Sequence, residues 1–190
     1  MHYALLSGLL ADAVALEDLN AVLQDESSDS MVRPLLHKVE QWLDKDEHAM
    51  LVKREFARLF LLPGGVKPYE SIYRGTEPLL MQEPWVQVRD FYRRSGWQLE
   101  RSPLPEDHAA VELSFMAHLR GDGATTEAAR FFQQHVSTWI PQLLEDIASH
   151  RYADFYGSVA EYGRRFLARE KRVHHNHSPP WDFEGRKMDS

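Results

Sequence analysis

The chain of 190 residues contains no cysteine. This excludes disulfide bonds, thiolate metal sites and a cysteine nucleophile. Apolar runs are also short, and none approaches the roughly 18 residues that a membrane-spanning helix requires. The apolar stretch 3–10 lacks a preceding basic region and is followed by acidic residues, so we expect a first helix rather than a signal peptide. These features predict a soluble, cytoplasmic protein.

Basic side chains are in the minority, with 22 Lys and Arg against 29 Asp and Glu and a formal net charge of −7. A negative field repels nucleic acid and permits a basic peptide as partner. Hydrophobic residues make up 43% of the chain, and its length suits one well-buried core. We expect one domain over residues 1–172 and a flexible tail over 173–190.

Apolar residues recur at helical spacing along most of the chain. Residues 5–23 predict one amphipathic helix ending near Gln24, and later patterns predict helices up to about Glu170. Pro141 should kink or restart the helix that contains it, and Trp42 and Trp139 should be core residues. No long run alternates at the period of a strand. The predicted fold is all-α, a compact domain of about eight to ten helices.

The helical pattern stops between Pro63 and Pro84, where four prolines and three glycines separate short apolar runs. Proline and glycine at this density favour an irregular connection. Connections this long inside a compact domain are usually functional or disordered. Tyr69, Ile72 and Tyr73 argue against disorder because such side chains gain by packing. We therefore expect an ordered loop that lines a groove.

Two segments combine a helical pattern with polar and aromatic residues that folding alone does not require. The first contains Phe56, Leu59, Phe60, Pro63, Gly64, Pro68, Tyr69, Ser71 and Tyr73. The second contains Pro105, Asp107, His108, Glu112, Leu113, Phe115 and Met116. Asp107 is placed to cap the second segment's helix, and His108 and Glu112 are spaced one turn apart.

In their order and separation these motifs resemble the redox-enzyme maturation chaperones, the TorD, DmsD and NarJ group, over roughly the whole chain. The resemblance implies a non-enzymatic cytoplasmic chaperone without a cofactor. It implies as partners the twin-arginine signal peptide and the apo form of a molybdoenzyme subunit, together with the cofactor-insertion machinery. The chaperone would bind the signal, delay export and keep the subunit competent for cofactor insertion. Which molybdoenzyme is the client stays open.

The resemblance also assigns roles to residues. The signal-binding set is Tyr69, Glu70, Ser71, Pro105, Asp107, His108 and Glu112, with Glu70 placed to meet an arginine of the signal. The structural set is Phe56, Phe60, Pro63, Gly64, Pro68, Tyr73, Phe115 and Met116. For Glu112 a structural hydrogen bond is an equal alternative, and on residue type alone Tyr69 could equally be a core anchor.

Other classes of function remain open from the residues. His108 and Glu112 could ligate a metal in a small helical hydrolase, although a catalytic zinc site normally has three protein ligands. The tail contains a cluster of histidines of the kind that binds transition metals: His174, His175 and His177. A tail without a carboxylate ligand nearby makes a poorly selective metal site. A generic helical interaction or dimerisation module is the third alternative. The chain could be a monomer or a dimer, including a domain-swapped one.

Overall fold

The computed structural model describes residues 1–43, 46–99 and 102–175. Within these ranges the chain forms helices and no β-strand, which confirms the predicted all-α fold. The helices are α1 (His2–Ala11), α2 (Leu16–Asp25), α3 (Arg33–Leu43), α4 (Asp46–Phe56), α5 (Glu70–Arg74), α6 (Glu83–Arg94), α7 (Ala109–Gly121), α8 (Thr125–Phe131), α9 (Ser137–Ser149) and α10 (Phe155–His175). Among the described residues, no helix is both long and apolar enough to cross a bilayer.

The end of α10 bears on the predicted tail. This helix continues to His175, past the expected boundary at residue 172. The rest of the tail, including His177, lies outside the described residues, as do the side chains of His174 and His175. Metal binding by this histidine cluster therefore stays a prediction.

The single helix predicted for residues 5–23 is wrong, because the chain breaks into α1 and α2. Asp12 adopts an extended conformation at the end of α1. Its carboxylate accepts the N–H of Ala13 at 2.7 Å, so the side chain competes with the helical backbone for hydrogen bonds. A short link, residues 12–15, joins the two helices. Their apolar residues continue the same spacing, which hid the break.

The core is built by helices packed in pairs and centred on the motif helix α7. Helix α1 packs along α7, α9 packs against α10, and α2 packs against α3. An aromatic cluster fills the space beside α7, where Phe115 contacts Phe91, Tyr92 and Phe131. Trp139, with 1% of its surface exposed, is a core residue as predicted. Trp42 is buried as well.

The segment between α4 and α6 is ordered, as expected, and it contains a short helix that the sequence did not predict. A π-helical turn, Ala57–Leu61, follows α4, and Leu59 O then accepts the N–H of Val66 at 2.6 Å. Gly64 has a φ of 82°, which suits glycine. Helix α5 occupies Glu70–Arg74 and ends at Gly75, where a Cβ would lie 2.4 Å from the carbonyl oxygen of Ser71. Only glycine fits that position without a shift of the backbone.

The expected kink at Pro141 is displaced. A π-helical turn, Phe132–Val136, connects α8 to α9, and Pro141 lies inside α9. The irregular hydrogen bonding therefore lies before α9 begins and not at Pro141 itself. The π-helical turn also places His135 with its side chain buried.

Candidate functional site

The two motifs meet at one backbone junction. Tyr69 and His108 form an isolated antiparallel bridge. On one side of it the N–H of Glu70 donates to Asp107 O at 2.8 Å, and on the other the N–H of Ala109 donates to Pro68 O at 2.9 Å. The loop before α6 is thereby fastened to the start of α7. The structure thus brings together the two segments that the sequence singled out.

Ser71 and Asp107 reinforce this junction with side-chain hydrogen bonds. Oδ2 of Asp107 accepts the backbone N–H of Ser71 at 3.0 Å and its hydroxyl at 2.5 Å. The serine Oγ in turn accepts the N–H of Gln82 at 3.2 Å. Both residues of the pair are buried. Ser71 therefore links the start of α7 to the start of α6.

His108, rather than Asp107, caps α7, so the predicted cap is wrong by one residue. Nδ1 of His108 accepts the N–H of Ala110 at 3.1 Å, which places the ring proton on Nε2. Asp107 cannot serve because its carboxylate is turned toward Ser71. Burial lowers the pKa of His108 to about 4, so the ring is neutral at physiological pH. Its ring also meets Tyr69 edge to face at a centroid distance of 5.1 Å.

Glu70 is fully buried and is paired within the chain. Its carboxylate accepts a hydrogen bond from Arg74, one turn along α5, and lies 3.0 and 3.2 Å from Nδ1 of His135. Arg74 also donates to Gln134 O at 2.9 Å. The arginine that meets Glu70 in this structure is therefore the chain's own. The pairing joins α5 to the π-helical turn that holds His135.

Glu112 is the second buried acid of the site. Trp139 donates its indole N–H to Oε2 of Glu112 at 3.1 Å. Burial and the nearby charge of Glu70 raise the pKa of Glu112 well above its ordinary value. Its other oxygen, Oε1, is buried without a hydrogen-bond partner. The raised pKa favours the protonated, neutral form of Glu112.

The turn that precedes α7 is held by α6. Pro105 O accepts the N–H of His108 at 3.1 Å and closes the turn. Within it, Glu106 accepts the indole N–H of Trp85 at 2.7 Å through Oε2 and the hydroxyl of Tyr92 at 3.0 Å through its carbonyl oxygen. The sequence reasoning did not single out these three partners. Their identity depends on how α6 packs, which no local pattern indicates.

The predicted signal-binding residues differ in their access to solvent. Glu70, Ser71, Asp107, His108 and Glu112 are buried, whereas Tyr69 and Pro105 are partly exposed. Through their side chains, His108 accepts from Ala110, and the other four bond to one another or to Arg74, His135 and Trp139. The sequence analysis did not identify these last three residues as members of the site. Of these, only Arg74 has a local signal, its position four residues after Glu70.

The structural set is placed as follows. Phe56 and Phe60 are buried, and their ring centroids lie 5.0 Å apart. Both rings contact Tyr156. Tyr73 donates its hydroxyl to Asp146 at 2.8 Å and packs on Trp139. The remaining members are Pro63 and Gly64 in an exposed turn, Pro68 at the junction, and Phe115 and Met116 in the core.

Two atoms of this site that could ligate a metal already accept hydrogen bonds, while Oδ1 of Asp107 and Oε1 of Glu112 are buried without a partner. Nδ1 of His108 accepts from the backbone, and Oε2 of Glu112 accepts from Trp139. In the described part of the chain, no three His, Asp or Glu side chains gather as a group that could hold a metal ion. The arrangement is suited to fixing the position of a loop against three helices.

The helical architecture is shared with a solved structure. A crystal structure from Archaeoglobus fulgidus, proposed to be a redox enzyme maturation protein, matches with a TM-score of 0.64 over 88% of this chain and 92% of that one. At 17% identity this likeness shows the fold alone. The family model described as nitrate reductase delta subunit matches residues 14–145. The chain belongs to that family.

Curated relatives agree with this assignment. The chain is similar to the chaperone protein TorD of Vibrio cholerae strain M66-2, with 25% identity over 80% of this chain and 76% of the relative. It is likewise similar to the chaperone protein TorD of Shewanella oneidensis strain MR-1, with 25% identity over 90% of this chain and 88% of the relative. The resemblance inferred from the two motifs is therefore confirmed.

Proposed function

We propose that this chain is a cytoplasmic chaperone for a molybdoenzyme subunit, which binds the subunit's twin-arginine signal peptide and assists cofactor insertion before export. Membership of the family and the likeness to TorD chaperones support the class of function. The observation that carries it is the junction of the two motifs at Tyr69 and His108. A chain that only needed to fold would not require two polar motifs to fasten one loop to one helix.

The residues of the junction divide into two roles under this proposal. Tyr69 and Pro105 are partly exposed, so they contact the client directly. The five buried members of the predicted set act as positioning residues. Glu70 already accepts from Arg74, and Asp107 already accepts from Ser71. They hold the loop in the shape that the client meets.

The loop also presents apolar side chains to solvent. More than half of the surface is exposed in each of three residues: Leu79, Leu80 and Met81. Met81 also has a φ of 57°, which is unusual for a residue other than glycine. Their neighbour Gln82 is fastened to Ser71 Oγ. The junction thereby fixes one end of this exposed apolar stretch. We assign these three residues to contacts with the client as well.

The first experiment is calorimetric titration with signal peptides from candidate molybdoenzymes. Ordering a flexible peptide opposes binding, so a Kd in the micromolar range, about −8 kcal/mol, is expected. The matched peptide has both arginines changed to lysine, which keeps the charge but removes bidentate hydrogen bonding. Weaker binding of the lysine peptide supports the proposal. No heat with any signal, even when the first domain of the mature enzyme is attached, contradicts it.

A further inference from the structure

We infer that the groove between α1 and α2 is the docking site for the apolar segment of the signal peptide, with the acidic side chains of α2 meeting the basic residues that precede that segment. The inference rests on the proposed function and goes beyond it by placing the client on a surface distant in sequence from both motifs. Groove, charge and contact with the motif helix each support it.

The groove is apolar and open to solvent. It encloses about 340 Å³ and is lined by Met1, Ala4, Leu5, Gly8, Leu9, Val14, Asp18, Leu19 and Val22. Met1 and Val22 are nearly half exposed, at 47% and 46%. Gly8 leaves open space at its floor, because a Cβ built there would meet nothing within 4 Å. A helix or extended segment with apolar side chains could bury this surface, as in other helix-in-groove complexes.

The charge around the groove selects among apolar partners. No Lys or Arg precedes Arg33 in the chain, whereas acidic residues are frequent there. Glu17 and Asp18 lie in the first turn of α2, and Asp18 is the acidic member of the lining. Exposed carboxylates favour a cationic partner and suppress an acidic one. The fitting ligand is therefore an apolar segment with basic residues beside it, which is the chemistry of a twin-arginine signal.

Helix α1, which forms one wall of the groove, also packs on the motif helix. The opposite face of α1 packs along α7, and Ser7 donates its hydroxyl to Ala110 O at 2.7 Å. Ala110 is the residue whose N–H is capped by His108. A ligand on the outer face of α1 therefore lies one helix away from the junction. One client could contact both the groove and the exposed side of the loop.

Gly8 allows a test that does not weaken the fold. Gly8→Leu places a side chain in the groove and also raises the helix propensity of α1, so reduced binding cannot be attributed to unfolding. Gly8→Ala gives the same backbone benefit with little filling. Calorimetry with the signal peptide should show binding weakened about tenfold or more by Gly8→Leu and changed less than about twofold by Gly8→Ala.

Gly157 provides the matched control. It lies inside α10 and lines a groove of similar volume, about 330 Å³, that is bordered by charged residues such as Lys38 and Asp154. A Cβ there would make only an ordinary contact, 3.8 Å from Ala153. Gly157→Leu is therefore the same substitution in a helix lining a different groove. It should leave the Kd within about twofold of the unchanged protein.

The absence of cysteine permits a direct readout. Val22→Cys, labelled with an environment-sensitive dye, should show a blue shift when the peptide covers the groove. The same dye at Glu161→Cys, which lines the control groove, should show none. Exchange of charge at Asp18→Arg should weaken binding of the twin-arginine peptide more than Asp18→Asn does.

The outcomes separate this inference from the proposed function. If the unchanged protein binds the signal and Gly8→Leu binds it equally well, the groove is not the site, although the chaperone function stands. If the unchanged protein binds no signal peptide, both are overturned. Light scattering adds one more arm: a dimer that Gly8→Leu converts to monomers would assign the groove to a second copy of the chain and overturn the inference.

Discussion

Ser71 and Asp107 lie 36 positions apart in the chain, yet one carboxylate oxygen of Asp107 accepts both the backbone N–H and the hydroxyl of Ser71. Because Ser71 also accepts from Gln82, this pair fixes both the middle and the end of the segment between the two motifs. A buried donor without a partner costs more than a hydrogen bond contributes. The pair is therefore a sensitive point of the site.

Asp107→Ala should lower the free energy of unfolding by about 3 kcal/mol, because it leaves the N–H and the hydroxyl of Ser71 buried without an acceptor. Asp107→Asn retains an acceptor oxygen and should cost about 1 kcal/mol. Urea denaturation measures both. A double-mutant cycle with Ser71→Ala isolates the contribution of the hydroxyl. A loss of less than about 0.5 kcal/mol for Asp107→Ala would show that the carboxylate does not hold the loop in solution.

The pH dependence of stability should report His108. Its pKa falls from 6.5 to about 4 on folding because the ring is buried. As the pH decreases, the unfolded chain therefore binds the proton first. The stability that neutral His108 contributes is complete above pH 6.5 and is lost progressively toward pH 4, by about 3 kcal/mol in total.

His108→Asn is the matched variant, since asparagine can cap α7 but does not titrate in this range. As the pH falls from 6.5 toward 4, the unchanged protein should lose more of its free energy of unfolding than His108→Asn does. Asp107 and Glu112, whose pKa values are raised, contribute with the opposite sign, but they are common to both proteins. Parallel stability curves from pH 4 to 8 would refute a neutral, buried His108.

Glu112→Gln should become stabilising as the pH rises. The pKa of Glu112 is raised by burial and by the charge of Glu70, so the folded protein retains a proton that the unfolded chain has lost. The free energy of unfolding of the unchanged protein therefore declines as the pH rises above the ordinary pKa of a carboxyl group, by up to about 1.4 kcal/mol per pH unit. Glutamine keeps an oxygen that can accept from Trp139 but carries no charge, so the variant avoids this loss.

Denaturation from pH 4 to 8 tests the prediction for Glu112→Gln. Its advantage should be near zero at pH 4 and largest at pH 8. Glu127→Gln is a control, since Glu127 is exposed on α8 and should shift the curve by less than about 0.5 kcal/mol at any pH. A Glu112→Gln variant that loses stability most at high pH would mean that Glu112 is ionised in the folded protein.

The sequence predicted most of the helices and singled out the two motifs, but not the hydrogen-bond partners inside the site. Apolar periodicity located α3, α6 and α7, because that pattern records burial on one face. Glu70 was expected to meet a client's arginine, yet the structure pairs it with Arg74 and His135. The orientation of a carboxylate depends on packing between distant helices, which periodicity does not encode. The break at Asp12 was missed for a local reason, since apolar spacing continues across it.

Glu55 supplies a cap from one helix to another. Its two oxygens accept the N–H groups of Asp154, Phe155 and Tyr156 at 2.7 to 3.0 Å, so a residue of α4 satisfies the start of α10. Its charge also suits the N-terminus of that helix. Because the partners lie about a hundred positions away, the residues around Glu55 in the sequence give no sign of this role.

Glu55→Ala should therefore lower the free energy of unfolding by about 3 kcal/mol, since it leaves three N–H groups without an acceptor at the buried start of α10. Glu55→Gln keeps one oxygen and should cost less. Glu47→Ala, on the exposed side of the same helix, should change the stability by less than about 0.5 kcal/mol. Urea denaturation distinguishes the three.

Hydrogen exchange locates the effect, because loss of the cap should increase exchange in the first turn of α10 before that in α7. Uniform acceleration across both helices would show that Glu55 stabilises the core as a whole rather than the helix it caps.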